Sequence, residues 1–285
     1  MVKPTLTDAI DLIRPTVVQI VFLADGLSEE LEQKLGKKWF SQPLGTGFVV
    51  NEEGYIVTAL HVIEEGEKFL RKVPASKKTL LVGFAVPPFE DREKDISITG
   101  NFSLFDFDII GKEGAYDLAL LKTRVVPAKN LKPMIKIDDK EFIPIVKAVS
   151  FDEGRPKDGT PIAVSGYPLN QTVLITNSGY IASSWYIQEQ EYEMISRTFR
   201  MPANFYFADL QVNPGNSGGP VFSIENGSVL GLCHGILLNQ VIKAQSQEGA
   251  VLDGEPLVYN SGLSIIVPSR YIIELLKKSG VHYTE

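Results

Sequence analysis

The 285-residue chain carries a single cysteine, Cys233, so it can form no internal disulfide. So little cysteine fits a reducing compartment. The opening residues, Met1-Val2-Lys3-Pro4-Thr5-Leu6-Thr7-Asp8, lack the apolar core of a secretory leader. Together these two absences predict a cytoplasmic protein. No apolar run approaches the ~18 residues needed to cross a bilayer. Positive charge is also short: 28 Lys and Arg face 35 Asp and Glu, a net charge of −7. That balance argues against a nucleic-acid partner, because phosphate binding needs basic patches. It also gives no attraction to anionic membranes.

Histidine is scarcer still, with His61, His234 and His282 the only three. Glu64 and Glu65 follow His61, but no second histidine stands at ligand spacing, so no metal site is expected and the two glutamates read as a solvated turn. No cofactor is expected either. Gly45-Thr46-Gly47 opens a strand and lacks the third glycine of a dinucleotide fingerprint. Three Asn-x-Ser/Thr sequons, at Asn101, Asn170 and Asn226, read as chance in a chain without a leader. The remaining composition, 44% hydrophobic and 22% charged, is that of an ordinary globular chain long enough for one or two domains.

The most informative stretch is Gln211-Val212-Asn213-Pro214-Gly215-Asn216-Ser217-Gly218-Gly219-Pro220-Val221-Phe222. Ser217 sits in a glycine-rich turn just before a β-branched and aromatic run. Glycines on both sides permit φ > 0 and the close approach of another chain. A serine hydroxyl is a weak nucleophile and needs a base to take its proton. The turn also aims the backbone N–H groups of Gly215 and Ser217 into one small space, where they could hold a developing oxyanion.

This stretch resembles the nucleophile loop of trypsin-like serine proteases, and its wording is most similar to the HtrA-like branch. The resemblance implies peptide-bond cleavage through an acyl-enzyme, with peptides or unfolded proteins as substrates. A second signature supports it: the hairpin of Gly45 to Val50 and Tyr55 to Thr58 runs into Ala59-Leu60-His61-Val62, which resembles the family's histidine motif. The implied roles are Ser217 as nucleophile, His61 as general base and Asp117, in Asp-Leu-Ala-Leu-Leu, as the carboxylate orienting the base. Asp106 and Asp108 are rivals that lack the strand behind Asp117. Gly215 and Ser217 would supply the oxyanion hole.

The resemblance also places Val212, Cys233, His234 and Gly235 at the substrate pocket. Glutamyl endopeptidases, which are relatives, read acidic side chains with a histidine at the place of Cys233. His234 comes one residue later, and alternation along a strand turns it away from the pocket, toward Asp117. Val212 and Cys233 would then make a small apolar pocket. No aspartate stands five or six residues before Ser217, so small or aliphatic residues are expected before the cut bond. Asn216 replaces the aspartate of digestive trypsins, which argues against activation by clipping the N-terminus. A silent peptide-binding scaffold on the same fold is the alternative, and homo-oligomer formation stays open.

Along the chain, Thr7 is read as capping a short helix to Ile13, which Arg14-Pro15 ends. Val17 to Phe22 reads as the first strand. Leu31, Leu35 and Trp39 predict an amphipathic helix within residues 27–40: a surface helix, or the lid or oligomer contact found there in HtrA-like proteases. A strand is read over 77–86, a loop or added hairpin over 87–107, a strand over 116–122 and a linker over 126–140. Further strands follow at 143–150, 161–166, 173–184, 203–210, 229–233 and 262–267, with an excursion at 185–201. A helix from Pro268 to Lys278 closes the chain, and nothing resembling a PDZ domain follows. The expected class is all-β: two six-stranded Greek-key barrels with a short N-terminal and a C-terminal helix. Residues 1–130 would form the half carrying His61 and Asp117, and 141–285 the half carrying Ser217.

Overall fold

Two closed barrels of six antiparallel strands carry the chain. The computed structural model describes residues 4–86, 89–91, 96–98, 101–124, 135–137, 140–142, 146–184, 204–241 and 257–284. The first half holds strands β1 (Val17–Leu27), β2 (Trp39–Val49), β3 (Tyr55–Ala59), β4 (Ala75–Ala85), the hairpin pair β5 (Phe89–Asp91) and β6 (Ile96–Ile98), β7 (Phe102–Glu113) and β8 (Leu118–Thr123). A second hairpin, β9 (Ile135–Ile137) with β10 (Lys140–Phe142), begins in the expected linker and runs two residues past its end. Then come β11 (Pro161–Gly166), β12 (Ile175–Ser183), β13 (Tyr206–Asp209), β14 (Pro220–Ser223), β15 (Val229–Val241) and β16 (Leu257–Pro268). Around the barrels the order is β1-β2-β3-β8-β7-β4 and β11-β12-β13-β16-β15-β14. Both halves therefore wind alike: three strands in sequence, then three in reverse.

The helices depart from expectation in instructive ways. The first, α1 (Leu6–Ile13), is capped by Thr5 and not by Thr7. Thr5 accepts from the Asp8 N–H and donates its own N–H to Asp8 Oδ2 at 2.8 Å, a reciprocal box. The second, α2 (Glu29–Leu35), stops where Gly36 takes φ 66°, and Trp39 belongs to β2 instead of the helix. A 13-residue helix, α3 (Leu60–Lys72), follows β3 directly, so Glu64 and Glu65 lie on a helix and not in a turn. It buries Leu60, Val62, Ile63 and Gly66. A Cβ on Gly66 would come within 2.9 Å of both Leu80 and Leu44, so the glycine lets α3 press close to the barrel.

The strand assignments also shift. Of the two readings for 87–107, a loop or an added hairpin, the described residues show the hairpin, β5 with β6, followed by the start of β7. The expected strand at 143–150 forms no ladder in its described part; Ser150 makes only a lone bridge to Thr284. β15 and β16 run well beyond the short segments expected. The excursion at 185–201 lies outside the described residues. The last helix, α4 (Ser269–Lys278), is where the sequence places it. Among the described residues no helix is long and apolar enough to cross a membrane.

The barrels are joined by one continuous core. Phe48, Ile56, Leu120 and Leu121 of the first half share it with Ala163, Phe222, Leu232 and Val267 of the second. α4 adds Tyr271, Ile272, Leu275 and Leu276 to the same core, and Tyr271 stacks on Tyr116 at 3.8 Å. Each fully buried side chain of this size is worth roughly 1.5–3 kcal/mol. The second barrel has its own interior around Ile162, Val164, Val221 and Ile266. The candidate site lies where the halves meet.

Candidate active site

The loop between β13 and β14 carries Ser217, and its shape depends on two glycines. Gly215 takes φ +102°, and a Cβ there would lie 2.4 Å from the Tyr167 carbonyl oxygen. Gly218 takes φ +84°, and a Cβ there would lie 2.1 Å from the Thr46 carbonyl oxygen. Neither position tolerates a side chain. Asn216 folds back on the loop, its Oδ1 accepting the Asn213 N–H at 3.1 Å. Its Nδ2 is buried and has no acceptor among the described residues. The amides of Gly215 and Ser217 donate to no acceptor among the described residues, whereas Asn216, Gly218 and Gly219 donate to the carbonyls of Asn213, Cys233 and Asn216.

Thr46 bolts this loop to the first barrel. Its N–H donates to the Ser217 carbonyl at 2.9 Å. Its hydroxyl donates to the Gly215 carbonyl at 2.6 Å and accepts the Tyr167 N–H at 3.0 Å. Its own carbonyl accepts from the Thr58 hydroxyl. In the sequence Thr46 is part of a strand opening, and its one local signal is the pair of flanking glycines. A Cβ on Gly45 would lie 3.0 Å from the Ser217 carbonyl oxygen, so that glycine makes room for the contact.

Asp117 and His61 meet through the start of α3. The first amides of a helix have no partner within it. Here Leu60 donates to the Asp117 carbonyl at 2.9 Å, and the His61 N–H donates to Asp117 Oδ1 at 2.9 Å. Asp117 itself takes φ 55° after a 3₁₀ turn, a conformation that aspartate tolerates better than most residues. His61 Nδ1 then lies 2.6 Å from Asp117 Oδ2. Asp106 and Asp108 are elsewhere, on an exposed face of β7, where Asp108 pairs with Arg124.

His234 also reaches this carboxylate. Its Nδ1 lies 2.7 Å from Asp117 Oδ2, the same oxygen that faces His61. The physical reason is a bulge: pairing with β16 jumps from Cys233↔Ile266 to Gly235↔Ile265, leaving His234 unpaired on the ladder. A bulge re-aims a side chain. The two imidazoles meet edge to face, centroids 5.5 Å apart. Burial pushes the Asp117 carboxyl up, but hydrogen bonds from His234 and then His61, with their charges, outweigh it and hold the group well below the usual carboxylate range. The backbone of His234 has a second role, its carbonyl accepting the Ser217 hydroxyl at 3.1 Å.

The expected pocket residues separate. Val212 and Cys233 are packed inside the second barrel. Full burial pushes the Cys233 thiol up to about 12. Gly235 faces open space. His234 is held at Asp117. His282 lies outside the cluster, its carbonyl accepting from Asn51. The sequence shows no second histidine at ligand spacing, yet the fold supplies one: His61, Asp117 and His234 offer ligand atoms all within 4.8 Å of one another.

A family model described as "Trypsin-like peptidase domain" matches residues 45–232. A "Probable periplasmic serine endoprotease DegP-like" of Rickettsia prowazekii is 28% identical over 251 residues, 87% of this chain and 36% of that protein. One of the same description from Halomonas elongata is 26% identical over 218 residues, covering 74% of this chain and 34% of that protein. The chain thus spans about a third of the length of these curated relatives. In fold it is similar to "HtrA-type protease AlgW with decapeptide" (TM-score 0.57, 17% identity, 96% of this chain and 67% of that one). It also resembles an inactive mutant form of Rv3671c from M. tuberculosis H37Rv (TM-score 0.50, 16% identity, 95% and 90%). The relatives' periplasmic designation overturns the cytoplasmic expectation. The physical reason is simple: a chain with one cysteine has no disulfide to form in any compartment, so its cysteine count is silent on location.

Proposed function

This chain belongs to the trypsin-like peptidase family, and on that premise we propose that it is a serine endopeptidase of the HtrA/DegP type. Ser217 attacks the scissile carbonyl, His61 takes its proton, and Asp117 holds the imidazole in orientation. The amides of Gly215 and Ser217 receive the oxyanion, and an acyl-enzyme on Ser217 is then hydrolysed. The halves 1–130 and 141–285 act as the two lobes of the cleft. The observation that carries the reading is the His61 Nδ1–Asp117 Oδ2 contact of 2.6 Å at the junction that also presents Ser217. An ionised Asp117 can only accept, so in this reading the proton sits on Nδ1 and Nε2 serves as the base.

His234 is a positioning residue, donating to the same carboxylate oxygen that faces His61. Val212 and Cys233 supply apolar bulk under the nucleophile loop, in keeping with small or aliphatic residues before the cut. Substrates are peptides or unfolded proteins, the compartment is that of the periplasmic relatives, and assembly into a homo-oligomer belongs to the same proposal. A second reading, a silent peptide-binding scaffold, draws on the Ser217 hydroxyl being bonded to the His234 carbonyl. A fluorophosphonate probe separates the two. Covalent labelling of wild type and none of Ser217→Ala supports the endopeptidase; a folded, unlabelled wild type supports the scaffold.

A further inference from the structure

The triad described above needs one imidazole on Asp117, and this protein has two. We propose that His61, Asp117 and His234 form a binding site for a divalent transition-metal cation of the zinc class, and that the bound cation switches the enzyme off. The second half of the proposal rests on the endopeptidase reading; the first rests on geometry alone.

The donor set is two imidazole nitrogens and one carboxylate oxygen, a set that suits zinc-class ions and leaves a coordination position open. Both Nδ1 atoms face Asp117 Oδ2, at 2.6 and 2.7 Å. Zinc–nitrogen and zinc–oxygen bonds of about 2.0–2.2 Å at a tetrahedral angle put ligand atoms roughly 3.3 Å apart. The cluster must therefore open by roughly 0.6 Å per contact to admit the ion. Entry is available: the His61 side chain is 42% exposed, while those of Asp117 and His234 are 15% and 19% exposed. Among the described residues no lysine or arginine pairs with Asp117, so the carboxylate charge is free for a cation.

The consequence for the base follows from the protons. At rest each Nδ1 carries the hydrogen that it donates to Oδ2. A metal ion needs the Nδ1 lone pair, so the neutral ring must carry its hydrogen on Nε2 instead. No net proton is released. At His61 this protonates the atom that would accept the Ser217 proton and removes the hydrogen bond that orients the ring. Ser217 then has no base.

Cobalt(II) tests the site, because tetrahedral coordination gives it strong visible absorption. After chelator treatment, Ser217→Ala is titrated with Co²⁺ at neutral pH. The expected result is absorption saturating at one ion per chain and abolished by Zn²⁺. His61→Ala and His234→Ser, each checked for folding by circular dichroism, should weaken binding at least ~10-fold, and His282→Gln should not. Absence of the band, or affinity unchanged in both His61→Ala and His234→Ser, would overturn the site. Fluorophosphonate labelling of wild type should fall as Zn²⁺ fills the site and recover with chelator. Full labelling at saturating Zn²⁺ would overturn the switch. Failure to label the metal-free protein counts against the endopeptidase reading, and the cobalt titration then decides the site by itself.

Discussion

Thr46→Val is the sharpest test of how the two barrels hold the Ser217 loop. Valine matches threonine in shape but cannot hydrogen-bond. Thr46 is buried, and its hydroxyl serves the Gly215 carbonyl at 2.6 Å and the Tyr167 N–H at 3.0 Å. The substitution leaves both groups without a partner. An orphaned buried N–H costs about 1–3 kcal/mol and a partly buried carbonyl somewhat less, so the expected loss is about 2–4 kcal/mol. Thr46→Ser keeps the hydroxyl and should lose no more than about 1 kcal/mol for its missing methyl. Urea unfolding measures the stabilities. Labelling of Ser217, timed where each variant is fully folded, measures the loop. Freed from its tether, the Gly215 peptide no longer fixes the neighbouring amides, so labelling should slow in the valine variant and not in the serine variant. A valine variant within about 0.5 kcal/mol of wild type and labelled at the same rate would refute the role given to this hydroxyl.

Three further outcomes are expected. Gly218→Ala should fail to yield folded protein or lower its melting temperature sharply, because the new methyl would lie 2.1 Å from a backbone oxygen that is itself locked in the sheet; a normal melting curve would contradict it. Stability should fall as pH rises from the ordinary thiol range toward 12, since burial holds Cys233 neutral in the folded chain while the unfolded thiol ionises. The buried Tyr167 phenol, raised for the same reason, adds to that loss at higher pH. Urea midpoints at several pH values should show this loss, less steep in Cys233→Ala, and native protein should resist thiol reagents until unfolded. Thr5→Ala breaks the α1 capping box and should cost about 1 kcal/mol in the same unfolding assay.

The sequence revealed what is encoded locally. The Ser217 loop announces itself through its glycines, and alternating or β-branched runs mark most barrel strands. Gly36 also stood ready to end α2, but the Leu31, Leu35, Trp39 spacing suggested a longer helix. Other features were hidden because their partners are distant. α3 opens without a capping side chain of its own, and Asp117, 56 positions away, satisfies the His61 amide. Nothing near residue 60 signals that help. Thr46 looks like a strand residue because its acceptor lies 169 positions on. His234 was expected near Asp117 from strand alternation, and it arrives there through a bulge that no local pattern encodes. Cys233 stands beside it with the opposite fate, buried in the barrel core.

These long-range contacts explain why the candidate site is more delicate than the fold. Each barrel is closed by ladders between its own strands. The site instead hangs on a few bonds that cross between halves: Thr46 to Ser217 and Gly215, Asp117 to His234, and Gln19 to the Gln171 carbonyl at 3.0 Å. A net hydrogen bond is worth about 1 kcal/mol, so a shift that strains two or three of these costs far less than opening either barrel. It still moves the Gly215 and Ser217 amides, the Ser217 hydroxyl and the His61 imidazole relative to one another, and the proposed acyl transfer would lose rate steeply with such misplacement. With His61 and Asp117 on one half and Ser217 and His234 on the other, the geometry of the candidate site depends on how the barrels dock.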